Sequence, residues 1–187
     1  MTTSEITFIT GNQHKADNMA RYLGFPIAHQ KVELDEIQSI HLRTVVEHKV
    51  RQAYDIVRKP VIVDDVSLEF RALGGLPGPF VRFFVENGVE IMCRMLDGFD
   101  DRSAVGKSGI GYFDGTTFQY FEGEIHGEIA DAPRGDNGYG WDSIFMPEGY
   151  GGKTRAELDD EHYEKVYGTI RRLADLKEFL ISKDNTQ

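Results

Sequence analysis

The sequence predicts an α/β fold in which a mixed β-sheet is flanked by helices. Strand-like and helix-like segments alternate in the first part of the chain, a pattern typical of parallel strands connected through helices. Later, Asp114 and Gly115 separate two strand-like segments, residues 108–113 and 116–121, and an Asp-Gly pair favours a two-residue antiparallel hairpin. Parallel and antiparallel pairing in one chain makes the sheet mixed.

Length and charge restrict the class of protein. The chain has 187 residues, of which 40% are hydrophobic, so we expect one domain, residues 1–187, with a sizeable core. It carries 31 acidic and 21 basic residues, for a net charge of -10. A protein this acidic has no broad cationic surface for a phosphate backbone, which excludes polymeric nucleic acid as the expected partner.

The first half of the chain predicts two strand-helix units. Residues 6–10 are rich in β-branched and aromatic side chains, and residues 14–23 place apolar groups at helical spacing before Gly24. A second strand is expected over residues 27–32 and a second helix over residues 43–57.

A third strand over residues 61–63 is entirely apolar. Such a run is typical of the middle of a sheet. We expect Asp64 and Asp65 at its carboxyl end, with their side chains on opposite faces because neighbouring strand residues alternate.

The second half alternates loops with short elements. Glycine and proline in residues 73–79 predict a loop of defined shape. The remaining expectations are a helix over residues 90–96, a loop over 135–140, a strand at 144–145 and one amphipathic terminal helix over 161–181.

Cysteine content and hydropathy favour a cytoplasmic protein without membrane contact. Cys93 is the single cysteine, so no internal disulfide forms, and its neighbours predict that the thiol packs as a small hydrophobe. No apolar run approaches the roughly 20 residues that span a bilayer. Residues 1–5 lack the basic and then apolar start of a signal peptide.

The junction of the first strand and helix is a candidate phosphate site. Thr10, Asn12 and Lys15 lie where free backbone N–H groups and the positive end of a helix dipole gather. The segment is not a Walker A loop, because it lacks that glycine spacing. The alternative is that Thr10 or Asn12 only caps the helix.

A scattered set of acids is a candidate Mg²⁺ site. Glu36 follows the second strand, and Asp64 and Asp65 follow the third. Mg²⁺ takes one or two carboxylates together with substrate phosphates, and one of the aspartates is suited to orienting or deprotonating water. Solvated carboxylates in a turn are the alternative. The dispersed histidines show no zinc-ligand spacing.

A third candidate region surrounds the single tryptophan. Tyr139, Gly140, Trp141 and Asp142 place aromatic rings and a carboxylate beside glycine. Aromatic faces of this kind accept a flat base, and a carboxylate accepts hydrogen bonds from base or sugar. Ordinary core packing of Trp141 is the alternative.

The order and spacing of these motifs resemble the inosine triphosphate pyrophosphatase family of house-cleaning hydrolases. The resemblance covers almost the whole chain. It is carried by residues 8–15 (FITGNQHK), 61–65 (VIVDD), 72–80 (ALGGLPGPF), 98–104 (GFDDRSA), 132–135 (APRG) and 140–142 (GWD).

This resemblance implies a fold, an assembly and a reaction. The family fold is a long mixed sheet that floors a cleft between two lobes, usually in a homodimer. The reaction is Mg²⁺-dependent hydrolysis of a non-standard purine nucleoside triphosphate to the monophosphate and pyrophosphate.

The resemblance also implies roles for individual residues. Asp65 matches the aspartate that activates water, Glu36 matches the magnesium ligand, and Asp64 stands where the family usually has glutamate. Residues implied to bind the triphosphate are Thr10, Asn12, Lys15, Lys49 and Arg82, and those implied to line the base and sugar pocket are Tyr139, Gly140, Trp141 and Asp142.

Three departures from the family pattern bear on the substrate. Val66 replaces a hydroxyl residue, Ser143 replaces proline, and residues 167–169 (YGT) occupy the place of the Ser-His-Arg that reads the purine's 6-oxo edge. Lys165, Arg171 and Arg172 are candidates to compensate. The alternatives are the same chemistry on another nucleoside triphosphate and a nucleotide-binding protein without turnover.

Overall fold

The computed structural model describes residues 6–185 and shows a seven-stranded mixed sheet. The strands are β1 (Thr7–Ile9), β2 (Ala28–Gln30), β3 (Val61–Phe70), β4 (Pro77–Gly78), β5 (Ser103–Phe113), β6 (Phe118–Ile129) and β7 (Phe145–Pro147). Their order is β2-β1-β3-β5-β6-β7, with β4 paired to β3.

Strand pairing explains why the sheet is mixed. β1 pairs in parallel with β2 and β3, whereas β4 pairs antiparallel to β3 and β7 antiparallel to β6. The helices are α1 (Gln13–Leu23), α2 (Leu42–Val57), α3 (Val81–Glu86), α4 (Val89–Arg94), α5 (Asp160–Ile170) and α6 (Leu173–Asn185). The predicted α/β class is therefore confirmed.

The chain forms two compact units. Within the described residues, the first contains residues 6–65, 109–123 and 171–185, and the second contains residues 66–108 and 124–170. Whether they act as one domain, as the sequence predicts for residues 1–187, stays a prediction.

Each unit has its own hydrophobic core. In the first, the apolar face of α2 packs through Val46, Val50 and Ala53 against Val61 and Val63 of β3. In the second, buried residues of β3, α4, β6 and β7 form the core, and Cys93 lies among them as predicted. No helix within residues 6–185 is long and apolar enough to cross a bilayer.

The third strand is longer than the sequence suggested. β3 continues through Asp64 and Asp65 to Phe70, so the prediction that these two residues sit at its carboxyl end was wrong. The reason is packing, because Leu68 and Phe70 are fully buried in the second unit's core and extend the strand beyond the two charged positions.

The predicted terminal helix is also interrupted. α5 ends at Ile170, Arg172 adopts a left-handed conformation with φ of 50°, and α6 begins at Leu173. Ile170 packs in the core of the second unit, whereas Phe179 of α6 contacts Tyr112 in the first unit. Apolar residues of the 161–181 segment therefore pack in two different cores, and the helix is interrupted between them.

The predicted hairpin is present with a longer connection. Four residues, 114–117, join β5 to β6 instead of two. The side chain of Asp114 accounts for the difference, because its Oδ1 accepts hydrogen bonds from the backbone N–H groups of Thr116 and Thr117 and closes the wider turn.

Candidate functional site

The junction between β1 and α1 is held by two polar side chains. Oδ1 of Asn12 accepts a hydrogen bond from the backbone N–H of Lys15 at 3.2 Å, which caps the helix. Oγ1 of Thr10 accepts one from the backbone N–H of Asn12 at 3.1 Å. The capping role considered from the sequence is therefore present, and the hydrogen bond from its N–H holds the backbone of Lys15 in the first turn of the helix.

Lys15 forms an ion pair with Asp64. Its Nζ lies 3.1 Å from Oδ1 and 2.9 Å from Oδ2 of that carboxylate. The Asp64 side chain is only 4% exposed, and Nε of Arg171 lies 4.0 Å from its Oδ2. Burial alone would raise the pKa of Asp64, but the charges of Lys15 and Arg171 outweigh burial and lower it. Asp64 is thus ionised at neutral pH.

Lys49 of α2 bridges two further carboxylates. Its Nζ lies 2.9 Å from Oδ2 of Asp65 and 3.2 Å from Oε1 of Glu36, which sits between β2 and α2. Burial alone would lower the pKa of Lys49, but Asp65 and then Glu36 outweigh burial and raise it. The ammonium therefore stays protonated between two acids.

The two adjacent aspartates have different lysine partners. Asp64 contacts Lys15 of α1, and Asp65 contacts Lys49 of α2. This separation agrees with the expectation that neighbouring strand side chains point to opposite faces. Two lysine-carboxylate pairs thus occur in one unit, on consecutive residues of one strand.

The chemistry of Glu36 and Asp65 fits a hard cation such as Mg²⁺. Both carboxylates already bind a single ammonium, so they lie close enough to share one cation. Among residues 6–185, no group of three or more histidine, cysteine, aspartate or glutamate side chains is arranged to hold a metal. Two carboxylates suffice for Mg²⁺ when substrate phosphates supply further oxygens.

In the second unit, Asp142 is buried in a network. Its Oδ1 lies 2.7 Å from Nη1 of Arg155, and its Oδ2 accepts hydrogen bonds from the Tyr163 hydroxyl at 2.8 Å and the Tyr139 backbone N–H at 3.0 Å. Burial and the charge of Asp142 raise the pKa of Tyr163, which keeps its hydroxyl a donor. Asp142 therefore anchors the loop before it.

Trp141 is buried as well. Its ring packs edge-on against Phe145, with 5.3 Å between centroids, and only 6% of the residue is exposed. The core-packing alternative thus describes its contacts. Tyr139, in contrast, is 37% exposed, and an added Cβ at Gly140 would meet no atom within 4 Å. Of this motif, Tyr139 and Gly140 offer the accessible surface.

Close approach explains one glycine of this loop. Gly138 has a φ of 78°, and a Cβ there would lie 2.3 Å from Oδ2 of Asp142 and 2.8 Å from the Tyr163 hydroxyl. Neither the conformation nor the space admits a side chain. The loop can therefore pass directly over the Asp142 carboxylate.

The other candidate cations lie in different surroundings. Arg82 of α3 is largely exposed and pairs with Glu86 at 2.8 Å, and Lys165 is exposed on α5. Arg171 lies beside Asp64, as described, and Arg172 pairs with Asp175. In the place of the family's Ser-His-Arg, Tyr167 and Gly168 are buried.

Sequence reasoning missed Arg155 and Tyr163. Arg155 follows Thr154, whose side chain and that of Glu157 form a capping box around a short 3-10 turn. The Thr-x-x-Glu spacing is a readable signal for an ordered turn. It does not reveal that the buried guanidinium meets Asp142, because that contact depends on the tertiary fold.

Comparison with known proteins identifies the family to which this α/β chain belongs. Residues 6–179 match the Ham1 family. The chain belongs to this family, and the resemblance to inosine triphosphate pyrophosphatases found in the sequence is confirmed.

Curated relatives and solved structures agree with this assignment. Inosine triphosphate pyrophosphatase 2 of Trypanosoma cruzi is 38% identical over 177 residues, covering 92% of this chain and 90% of the relative. Inosine triphosphate pyrophosphatase of Schizosaccharomyces pombe is 37% identical over 185 residues, covering 96% and 97%. The Ham1 protein of Staphylococcus aureus superposes with a TM-score of 0.80 at 26% identity, covering 96% of this chain and 100% of that one.

Proposed function

We propose that this protein hydrolyses non-standard purine nucleoside triphosphates, such as those of inosine and xanthosine, to the monophosphate and pyrophosphate. The observation that carries the proposal is the pair of lysine-carboxylate contacts, Lys15 with Asp64 and Lys49 with Asp65, in a chain of the Ham1 family. Relatives that cover nearly the whole chain are named inosine triphosphate pyrophosphatase. The role is removal of faulty nucleotides from the pool.

Two lysines bind the triphosphate in this proposal. Phosphate oxygens replace carboxylate oxygens as partners of the Lys15 and Lys49 ammonium groups. Thr10 and Asn12 shape the start of α1, where the positive end of the helix dipole favours a phosphate group. Arg82 and Arg171 add positive charge.

Glu36 and Asp65 hold Mg²⁺ in this proposal. The ion, when bound with the substrate, supplies positive charge that neutralises the phosphate oxygens. Support comes from the shared ammonium, which shows that both carboxylates reach one cation.

Asp65 accepts the proton of the attacking water. The water oxygen forms a bond to the α-phosphorus, the bond between that phosphorus and the bridging oxygen breaks, and pyrophosphate leaves with the electron pair. Asp64 acts indirectly, because its buried charge orients Lys15. Most of the acceleration comes from positioning and charge stabilisation.

The loop of residues 138–142 receives the base. Tyr139 and Gly140 supply accessible surface, whereas the buried Trp141 and Asp142 hold the loop in shape. Lys165, exposed on α5, is the remaining candidate for a contact with base or sugar.

Location and assembly complete the proposal. A cytoplasmic enzyme suits a single buried thiol and a nucleotide-pool substrate. A homodimer is implied by the family resemblance, and light scattering of the purified protein distinguishes it from a monomer.

Pyrophosphate release tests this function. The purified protein is assayed with inosine, xanthosine, adenosine, guanosine and thymidine triphosphates, with Mg²⁺ and with EDTA. We expect release that requires Mg²⁺ and is fastest with inosine or xanthosine triphosphate. Release only from the standard triphosphates would contradict the proposed preference for non-standard purines. Binding of the triphosphates without any release of pyrophosphate would contradict the proposed hydrolytic activity.

A further inference from the structure

Arg155 is a buried arginine held along one side. Its side chain is 3% exposed, and Nη1 lies 2.7 Å from Oδ1 of Asp142. The guanidinium carbon lies 5.5 Å from the centroid of the Trp141 ring and 5.0 Å from that of Tyr163. Contacts with two aromatic rings and a carboxylate fix the plane of the group.

The other edge of the guanidinium has no acceptor. Nε and Nη2 are both buried, and neither has a hydrogen-bond partner in the part of the chain that the structure describes, residues 6–185. Burying charged donors without an acceptor is unfavourable. The arrangement therefore points to an acceptor that comes from outside this chain.

The geometry of this edge defines the acceptor. The N–H bonds of Nε and Nη2 run side by side in a rigid plane, which matches two adjacent acceptor atoms. O6 and N7 of a 6-oxopurine form such a pair and are a common bidentate target of arginine. A phosphate is a poorer match here, because the Asp142 carboxylate shares the same guanidinium and repels an anion.

The cations near the end of the chain have other surroundings. Arg171 contacts Asp64, Arg172 pairs with Asp175, and Lys165 is exposed. Tyr167 and Gly168, in the place of the family's Ser-His-Arg, are buried and carry no cation. Arg155 is the arginine that lies beside Trp141 and Asp142.

We propose that Arg155 reads the O6 and N7 edge of the purine in this protein, replacing the absent Ser-His-Arg. The inference rests on the proposed function, because it names the residue that gives that same site its preference for 6-oxopurines. Tyr139 and the open backbone at Gly140 lie on the loop that Asp142 holds beside this arginine. Asp142 is then a positioning residue for both the loop and the guanidinium.

Changing the ligand tests the proposal without changing the protein. We compare kcat/KM of the wild-type protein for the triphosphates of inosine, purine riboside, which lacks the 6-oxo group, and 7-deazainosine, which lacks N7. For each analogue we expect kcat/KM to be about 10- to 100-fold lower than for inosine triphosphate, because the charged guanidinium of Arg155 loses one of its acceptors. Equal kcat/KM values would overturn the proposal and mean that water satisfies Arg155.

Two variants separate recognition from structure. Arg155→Lys keeps a cation for Asp142 but removes the paired donors. The ratio of kcat/KM for inosine triphosphate to that for purine riboside triphosphate should therefore shrink to within about threefold. Arg94→Lys, an exposed position on α4, should keep the wild-type preference. If Arg155→Lys lowers kcat/KM for both triphosphates by the same factor, so that their ratio is unchanged, Arg155 is only structural. If that variant does not fold, the ligand comparison decides.

Calorimetry separates failure of this inference from failure of the proposed function. Binding of inosine monophosphate and purine riboside monophosphate is measured on the wild-type protein and on Arg155→Lys, with no turnover required. A protein that releases no pyrophosphate but binds the inosine compound at least about tenfold more tightly supports the role of Arg155 alone. Equal affinities of the wild-type protein for the two monophosphates would reject the role of Arg155 whatever the activity.

Discussion

The ammonium nitrogen of Lys15 lies 2.9 Å from Oδ2 of Asp64, a carboxylate whose side chain is only 4% exposed. The two residues are 49 positions apart in sequence. The adjacent Asp65 contacts Lys49 instead, so the two neighbouring aspartates have different lysine partners. This pairing is the basis of the first three predictions.

Replacing Lys15 should weaken substrate binding. In Lys15→Ala the triphosphate loses one charged donor, so we expect KM to rise about 10- to 100-fold. Initial rates of pyrophosphate release over a range of inosine triphosphate concentrations measure this. Lys31→Ala removes an exposed lysine that pairs with Glu33 and serves as the control. An unchanged KM in Lys15→Ala would remove this lysine from the site.

Replacing Asp65 should remove turnover without unfolding the protein. Asp65→Asn keeps the size of the side chain but cannot accept the proton of water, so kcat should fall about 100- to 10,000-fold. Asp55→Asn changes an exposed aspartate on α2 and should have wild-type kcat. Thermal melting accompanies both, and a variant Asp65→Asn that unfolds would indicate a structural role instead.

Glu36 should determine the magnesium requirement. Glu36→Gln removes one anionic oxygen ligand, and the Mg²⁺ concentration for half-maximal rate should rise by about tenfold or more. Titration of the rate with Mg²⁺ at saturating substrate measures it. Glu33→Gln, in the same segment but exposed, is the matched control, and equal Mg²⁺ dependence of the two variants would argue against Glu36 as a ligand.

Gly106 should be intolerant of a methyl group. A Cβ there would lie 2.9 Å from Cη2 of the buried Trp141 ring, so Gly106→Ala should lower the free energy of unfolding by about 1–3 kcal/mol through overpacking. At Gly98 a Cβ would meet no atom within 4 Å. Denaturant unfolding should therefore find Gly98→Ala close to the wild type, and equal stabilities of both variants would show that the tryptophan can shift.

Asp114 should make part of the stability dependent on acid pH. Partial burial would raise its pKa, but the N–H of Thr117, the ammonium of Lys183 and the N–H of Thr116 outweigh burial and lower the pKa. A lowered folded-state pKa stabilises the protein above the unfolded value of about 3.8, and this stabilisation is lost as pH falls through the folded-state pKa.

Asp114→Asn should therefore cost about 1 kcal/mol of unfolding free energy at pH 7, and the difference from the wild type should shrink on acidification below pH of about 4. Urea unfolding from pH 7 to 2.5 measures both values, with the exposed Asp136→Asn as control. A difference that stays constant with pH would mean that the charge of Asp114 is not involved.

Local patterns in the sequence were enough for the class of fold and for most elements. The apolar spacing of Val46, Val50 and Ala53 predicted α2 because a helix repeats every 3.6 residues. Asp114 and Gly115 predicted the turn of the hairpin. Short-range geometry fixes such features, and they are readable without knowledge of distant residues.

The sequence also determined the family and the charged residues of the candidate site. The order of the motifs around Lys15, Asp64 and Trp141 was sufficient for the resemblance that the comparisons confirmed. Motifs give residue types in sequence order, and the lysines and carboxylates among them led to the hypothesis of phosphate and cation binding.

Only the tertiary structure decided which of these residues meet. It extended β3 through Asp64 and Asp65, because Leu68 and Phe70 find a core in the second unit. It ended α5 at Ile170, and it paired each aspartate with a separate lysine. It also buried Arg155 against Asp142. Contacts between residues far apart in sequence depend on strand order and on competition for buried space, and a linear pattern encodes neither.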